Sequence, residues 1–156
     1  MEYRLATISD VPAMAKMRAA EWETEEYWQR RLAAYLQGDA KPQKAFAGRV
    51  TYAAVHEDRV AGFISGHLTR RFACDGELQF LNVIPEFRGM GVAAELLRRL
   101  AQWFVENNAA KICVDPDQAA RHFYRKHGAV SLNAHWLVWN DIRTVLEPGA
   151  AKPVAT

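Results

Sequence analysis

The sequence predicts a single domain of the α/β or α+β class, built around one central sheet. Segments with strand-like alternation and segments with helical periodicity follow one another in the order β-α-α-β-β-β-α-β-α-β-β. A length of 156 residues is typical of one domain. Hydrophobic residues make up 50% of the chain and charged residues 24%, which excludes a disordered or collagen-like chain. We expect the domain to cover 1–146 and a frayed tail to cover 147–156.

The first part of the chain predicts a short strand and two helices. The strand covers Tyr3–Thr7, and Ser9 or Asp10 caps the helix that follows. A second helix begins after the N-cap Thr24 and ends at Gly38. Apolar residues recur along one face of this second helix, which indicates that this face is buried. They are Trp28, Leu32, Tyr35 and Leu36.

A polar loop and two antiparallel strands come next. The loop covers Asp39–Gly48, and the strands cover Arg49–His56 and Val60–Thr69, which are joined by a tight turn. Gly62 and Gly66 interrupt the second of these strands. Glycine inside a strand indicates a bulge or a close backbone neighbour.

The remaining elements include the clearest helix in the chain. From Val92 to Phe104, apolar and charged residues separate onto opposite faces at helical spacing. The other predicted elements are a strand at Glu77–Ile84, a strand at Lys111–Asp115, a helix at Asp117–His127 that ends at Gly128, and strands at Ala129–Leu132 and His135–Asn140.

Charge and hydropathy exclude several classes of protein. The net charge of +2 gives no case for nucleic acid or an anionic membrane as a partner. The longest stretch without a charged residue, 127–140, is shorter than the roughly 20 residues of a transmembrane helix. The N-terminal segment has no pattern of a secretory signal. Cys74 and Cys113 form neither a CxxC pair nor a disulfide framework, so we expect a cytoplasmic protein without a bound metal.

A glycine-bearing turn between a strand and the strong helix carries most of the chemical information. The first turn of a helix has unpaired N–H groups and a partial positive charge. Gly89, Gly91 and Ala93 would let an anion such as a diphosphate approach those groups, and Arg88 would add a cation. A loop that uses its glycines for turn geometry alone explains the local sequence equally well. The dinucleotide fingerprint and the P-loop pattern are both absent.

Two motifs around this turn resemble those of the GNAT superfamily of N-acetyltransferases. Arg88–Ala93 is similar to the family signature R/Q-x-x-G-x-G/A, and the preceding Leu81–Phe87 is similar to its run L-x-V-x-P-x-[YF]. Downstream, Ala120–Ala129 resembles the second motif, A-x-x-F-Y-x-x-x-G-F. The resemblance implies a mixed sheet of about six to seven strands, flanked by four helices and with splayed central strands.

The resemblance implies acetyl-CoA as co-substrate, bound between the splayed strands Glu77–Ile84 and Lys111–Asp115. The main chain of Leu81 and Val83 would bind the acetyl carbonyl and the pantetheine arm. Such use of a free strand edge is physically reasonable, because it reuses ladder hydrogen bonds. The cofactor-binding residues carried over from the family are Leu81, Asn82, Val83, Arg88, Gly89, Met90, Gly91, Val92, Ala93, Ala94, Asp117 and Tyr124.

The resemblance also implies two catalytic residues. Tyr124 matches the general acid that protonates the departing CoA thiolate, a role that suits a phenol with an ordinary pKa near 10. Glu77 matches the position of a catalytic glutamate in some members, where it would take a proton from the amine. A solvated charge at the end of a strand is an equal alternative for Glu77. Period-2 alternation predicts that Glu77, Gln79, Leu81 and Val83 share one face of the sheet.

One position departs from the family pattern. Many members carry asparagine seven residues before the tyrosine, and Asp117 stands there. A carboxylate accepts hydrogen bonds but cannot donate one, so this cofactor contact is in doubt.

The acceptor site would be formed by the first two helices and the last strands. We expect Trp28, Glu25 and His135 to bind substrate, because acidic groups beside aromatic faces suit a cationic amine. The predicted function is transfer of an acetyl group to a small primary amine or amino-acid-like molecule by direct attack. A protein lysine or N-terminus is the alternative acceptor, and a catalytically inactive CoA-binding sensor or scaffold is the alternative function. Members of the family often form dimers, so a homodimer is a further expectation.

Overall fold

The computed structural model describes residues 1–38 and 45–147, and within them it contains seven strands and four α-helices. The strands are β1 (Glu2–Leu5), β2 (Ala45–His56), β3 (Arg59–Thr69), β4 (Gly76–Val83), β5 (Ile112–Val114), β6 (Val130–Ser131) and β7 (Leu137–Trp139). The helices are α1 (Val11–Ala19), α2 (Glu25–Gln37), α3 (Val92–Glu106) and α4 (Gln118–Lys126). None of these helices is long and apolar enough to span a membrane.

All seven strands form one sheet in the order β1-β2-β3-β4-β5-β7-β6. Only the β4–β5 pair is parallel among the described strands, and the other pairs are antiparallel. The prediction of a mixed sheet with four flanking helices is confirmed.

Two separate hydrophobic cores cover the two faces of the sheet. On one face, α3 packs Leu96, Leu100 and Phe104 against the central strands. On the other face, α1 and α2 pack Met14, Trp28 and other apolar residues around Phe63 and Phe80. The amphipathic patterns of α2 and α3 therefore reflect burial on opposite sides of the sheet.

Element boundaries differ from the predictions at several positions. Strand β2 already begins at Ala45, so the predicted loop Asp39–Gly48 is wrong for its last four residues, and its first six lie outside the described residues. Strand β1 ends at Leu5 because Thr7 begins the next turn, in which its N–H donates to Asp10. A 3-10 turn at Ile142–Leu146 follows the last strand and packs against α3. Apart from Glu147, the predicted tail lies outside the described residues.

Gly62 has a close backbone neighbour, as predicted for a glycine inside a strand. A Cβ added at Gly62 would lie 2.7 Å from the carbonyl oxygen of Asn82 on the adjacent strand. Any larger residue at this position would push β3 and β4 apart, so the glycine allows the two strands to pair tightly.

Candidate active site

The sheet opens where its two parallel strands separate. β5 pairs with β4 only through Ile112–Val114, opposite Gly76–Leu78. Asp115-Pro116 then leads the chain away, and a proline restricts both its own conformation and that of the residue before it. The part of β4 beyond Leu78 consequently has no strand on its β5 side, and this gap is the floor of a cleft.

A β-bulge in β4 lies at the same point. Ser65 of β3 pairs with Phe80, but the next residue, Gly66, pairs with Leu78, so Gln79 is the extra residue. A bulge shifts the alternation of side chains by one position. Leu78 packs into the core beneath α3, whereas Phe80 packs beneath α1 and α2.

Because of this bulge, the prediction about which side chains of β4 share one face of the sheet is wrong. Glu77 does not share a face with Leu81 and Val83, as simple alternation implied. Glu77 lies opposite His67 in the ladder, and His67 contacts Tyr35 of α2, so Glu77 is on the α1–α2 side. Leu81 and Val83 pack on the α3 side.

The free edge of β4 directs main-chain groups into the cleft. The N–H of Ile84 donates to the carbonyl of Ala61, which sets the phase of the antiparallel ladder. Alternation along that ladder turns the N–H and C=O groups of Leu81 and Val83 away from β3. In agreement with this phase, the carbonyl of Val83 accepts a hydrogen bond of 2.9 Å from Nε of Arg88.

The N-terminus of α3 lies at the end of this edge and is open. Gly91 is the N-cap in the left-handed conformation, with a φ of 82°, and provides no side chain to accept from the first turn. Gly89 also has a positive φ, and a Cβ added at either glycine would meet nothing within 4 Å. The unpaired N–H groups of the first helical turn therefore face open space beside a partial positive charge.

The resulting cavity, here called the main cleft, has a volume of about 790 Å³. Its lining includes seven of the residues predicted to bind cofactor: Leu81, Asn82, Val83, Arg88, Ala93, Asp117 and Tyr124. The other five do not line the main cleft and belong to the turn and helix start between Arg88 and Glu95. They are Gly89, Met90, Gly91, Val92 and Ala94.

Tyr124 of α4 lies in the wall of the main cleft. Its ring packs edge-on against Phe123 and Trp139, and the residue is only 3% exposed. No residue in 1–38 or 45–147 forms a hydrogen bond with its hydroxyl. Burial, with a smaller contribution from the negative charge of Asp117, raises the pKa of Tyr124 well above its ordinary value. The phenol is thus a protonated, unengaged donor at neutral pH.

A polar network between α1 and β4, which was not predicted from the sequence, also lines the main cleft. Arg18 donates a hydrogen bond of 3.0 Å to Oδ1 of Asn82 and forms an ion pair with Glu21. Nδ2 of Asn82 donates to the second oxygen of Glu21 at 3.0 Å. The side chain of Asn82 is therefore engaged within the protein. Arg18 follows Met14 by four residues and therefore lies on the buried face of α1. A charged residue on the buried face of a helix is the feature of the sequence that could have indicated this network.

Asp117 is the N-cap of α4. Its Oδ1 accepts a hydrogen bond of 2.7 Å from the N–H of Ala120. The carboxylate thus has a local role in helix formation, in addition to its place in the lining of the main cleft.

A second pocket of about 380 Å³ adjoins the main cleft on the α1–α2 side of the sheet. The two cavities share Arg18, Trp22, Gln79, Phe80 and Asp115. The second pocket adds Trp28, Arg31, Arg71, Glu77, Leu78 and Trp136.

Trp28 lines the second pocket, but Glu25 and His135 line neither cavity. Glu25 is an exposed residue in the first turn of α2, where a negative charge suits the helix dipole. His135 belongs to a turn in which Asn133 holds its N–H and Arg121 holds its carbonyl. Glu25 and His135 thus lie outside the linings of both cavities, and their substrate roles stay predictions.

Glu77 is 4% exposed and contacts two nitrogen-bearing side chains. Its Oε1 lies 3.1 Å from Nε of Arg71 and 3.6 Å from Nε2 of His67. The other ring nitrogen of His67 is 2.9 Å from the hydroxyl of Tyr35. Neither contact of Oε1 has hydrogen-bond geometry, so this oxygen is a buried acceptor without a hydrogen bond.

Comparison with known protein families identifies the fold. The model of the acetyltransferase (GNAT) family matches residues 13–129. The chain belongs to the GNAT family of acetyltransferases. This match covers both predicted motifs and confirms the resemblance, and it includes the open turn, the separated strands and Tyr124.

Solved structures of GNAT proteins share the whole fold at low sequence identity. A putative GNAT acetyltransferase from Desulfovibrio desulfuricans has a TM-score of 0.70 and 14% identity, over 90% of this chain and 98% of that one. GCN5 from Tetrahymena has a TM-score of 0.63 and 11% identity, over 89% and 95%. The PaiA N-acetyltransferase from Thermoplasma acidophilum, solved in complex with coenzyme A, has a TM-score of 0.62 and 15% identity, over 88% and 95%. A search of curated proteins found no significant match.

Proposed function

We propose that this protein transfers an acetyl group from acetyl-CoA to the primary amine of a small or amino-acid-like molecule, by direct attack. Membership of the acetyltransferase family supports the class of reaction. The observation that carries the proposal is the continuity of the main cleft, which joins the edge of β4 to the unengaged hydroxyl of Tyr124.

The residues of the main cleft fit coenzyme A. The open N–H groups after Gly91 suit a diphosphate, and Arg88 adds a positive charge beside them. The outward main-chain groups of Leu81 suit the amide-bearing pantetheine arm. Acetyl-CoA supplies a thioester, which is an acetyl group already activated for attack by an amine.

Tyr124 is the proposed general acid. Its hydroxyl donates a proton to the departing thiolate, and its raised pKa keeps that proton in place through neutral and mildly alkaline pH. Between about pH 6 and pH 9, ionisation of Tyr124 should therefore contribute nothing to the pH dependence of the rate.

Glu77 is the proposed base. An amine attacks only in its neutral form, so a proton must leave it before or during the reaction. The carboxylate of Glu77 lines the second pocket, on the side from which an acceptor reaches the gap between β4 and β5. It would accept the proton directly or through a water molecule.

Direct attack also agrees with the positions and the raised pKa values of the two cysteine thiols. Neither Cys74 nor Cys113 lines either cavity. Burial raises the pKa of both thiols, so neither is poised as a nucleophile that would carry the acetyl group.

The decisive test measures thiol release from acetyl-CoA with a panel of primary amines. We expect turnover with at least one small amine, and a decrease of about 10²–10⁴-fold in kcat for Tyr124→Phe with unchanged CoA affinity. Tyr3→Phe is the matched control, because Tyr3 is a half-buried tyrosine that lines neither cavity. CoA binding without turnover on any amine, unaltered in Tyr124→Phe, would favour the sensor or scaffold function instead.

A further inference from the structure

We infer that the acceptor carries a carboxylate as well as its amine, and that the second pocket binds this carboxylate through Arg31 and Arg18. The inference rests on the proposed function and narrows its acceptor to zwitterionic, amino-acid-like molecules. It selects the second of the two acceptor classes that the sequence suggested, a small amine or an amino-acid-like molecule.

The second pocket is lined by charges of both signs. Three arginines face it, Arg18, Arg31 and Arg71, against two carboxylates, Glu77 and Asp115. Arg71 contacts Glu77, and Arg18 forms an ion pair with Glu21. With these pairs set aside, the lining still offers the positive charge of Arg31 and the negative charge of Asp115, which suit the two charges of a zwitterion.

Of these three arginines, Arg31 is the one with no carboxylate partner among the described residues. Its hydrogen bond goes to the neutral hydroxyl of Tyr27, at 3.1 Å. Its guanidinium lies 5.6 Å from the ring centre of Trp28 and 5.9 Å from that of Phe80. These ring contacts orient the guanidinium at the pocket without neutralising its charge.

Arg18 shares those two aromatic neighbours. Its guanidinium lies 4.6 Å from the ring centre of Trp28 and 5.0 Å from that of Phe80. Two guanidinium groups are thus held around the same pair of rings. Burial is the main cause that lowers the pKa of Arg18, and the charge of Arg31 adds a smaller contribution in the same direction. The Nε of Arg18 is buried and has no hydrogen-bond partner.

An anionic group between the two arginines would relieve this repulsion. A carboxylate matches the planar fork of a guanidinium and accepts charge-assisted hydrogen bonds from it. At the other end of the same pocket, Glu77 and Asp115 suit the amine. Trp22, Trp28 and Trp136 provide apolar contact for the rest of the molecule.

The first experiment compares matched pairs of amines with and without a carboxylate, with kcat/KM as the readout. Suitable pairs are phenylalanine with 2-phenylethylamine, leucine with isoamylamine, and lysine with cadaverine. We expect the amino acid to exceed its decarboxylated partner by about 10–100-fold in at least one pair, the range of a charge-assisted hydrogen bond. Equal values, or a preference for the decarboxylated amine in every pair, would overturn the inference.

The second experiment removes the proposed carboxylate ligand. Arg31→Leu should lower kcat/KM for the amino acid by about 10–100-fold and leave the decarboxylated amine unaffected, since that amine has nothing to pair with the guanidinium. Arg30→Leu is the control, because Arg30 is the exposed neighbour on the same helix and lines neither cavity. Equal losses for both amines in Arg31→Leu would show a general defect and would refute the assignment.

A binding measurement separates this inference from the proposed function. Tryptophan fluorescence is a direct probe, because three tryptophans line the second pocket. With CoA present and no acetyl group to transfer, amino acids should bind at least about 10-fold more tightly than their decarboxylated partners. Selective binding without turnover would retain the carboxylate site while refuting the acetyltransferase proposal, and turnover with unselective binding would do the opposite.

Discussion

The main cleft and the second pocket are neighbours, but they are built in different ways. The predicted cofactor-binding end of the cleft comes largely from main chain, at the edge of β4 and the start of α3, within one contiguous stretch from Leu81 to Ala94. The second pocket is built from residues of α1, α2, β4 and four connecting segments.

This difference explains why one cavity could be predicted and the other could not. Main-chain recognition needs particular glycines in a particular order, and such a pattern is visible in a linear sequence. Recognition by side chains needs only that Arg18, Arg31 and Arg71 meet in space, although they lie far apart along the chain. Under the proposed function, substitutions in the second pocket would change the acceptor while the donor site stayed the same.

The largest effect is expected at the main-chain site. Gly91→Glu should abolish detectable CoA binding, because a carboxylate would occupy the space proposed for the diphosphate and repel it. Isothermal titration with CoA measures the loss. Gly38→Glu is a matched control, since Gly38 also has a positive φ and open surroundings but lies at the end of α2. Normal CoA affinity in Gly91→Glu would refute the proposed diphosphate position.

A smaller effect is expected at the proposed base, which belongs to the side-chain site. Glu77→Gln should lower kcat by about 10²–10³-fold, because the amide cannot take the proton from the amine. CoA affinity should not change, since Glu77 does not line the main cleft. Glu106→Gln, an exposed change on α3, serves as control. An unaltered kcat in a folded Glu77→Gln protein would leave Glu77 with a structural role only.

The smallest effect concerns Asp117, where the chain departs from the family motif. Asp117→Ala should lower the free energy of unfolding by about 1 kcal/mol, because α4 loses its N-cap. Asp117→Asn should keep the original stability, since asparagine caps helices about equally well. Chemical denaturation of the three proteins checks both statements. Equal stability of the alanine variant and the original protein would argue against the capping role.

The sequence was sufficient for the fold and for much of the main cleft. Alternating periodicity and glycine positions located nearly every strand and helix, and the motifs located the turn before α3 and the position of Tyr124. The bulge at Gln79 was not predictable, because an extra residue is defined by its partner strand: Ser65 pairs with Phe80 and Gly66 with Leu78. The positions of Glu25 and His135 outside both cavities were also not predictable, because the direction of a side chain depends on local turns and caps that residue type does not reveal.

The face that Glu77 occupies depends on how β4 accommodates its extra residue. If Gln79 paired with Gly66 in a regular ladder, Leu78 would lie opposite His67 and the carboxylate of Glu77 would be forced into the hydrocarbon beneath α3, next to Leu100 and Phe104. Deletion of Gln79 would instead leave Gly66 opposite Leu78 and His67 opposite Glu77, and both side chains would keep their present faces. The bulge therefore lets an eight-residue strand present its carboxylate on the α1–α2 side of the sheet.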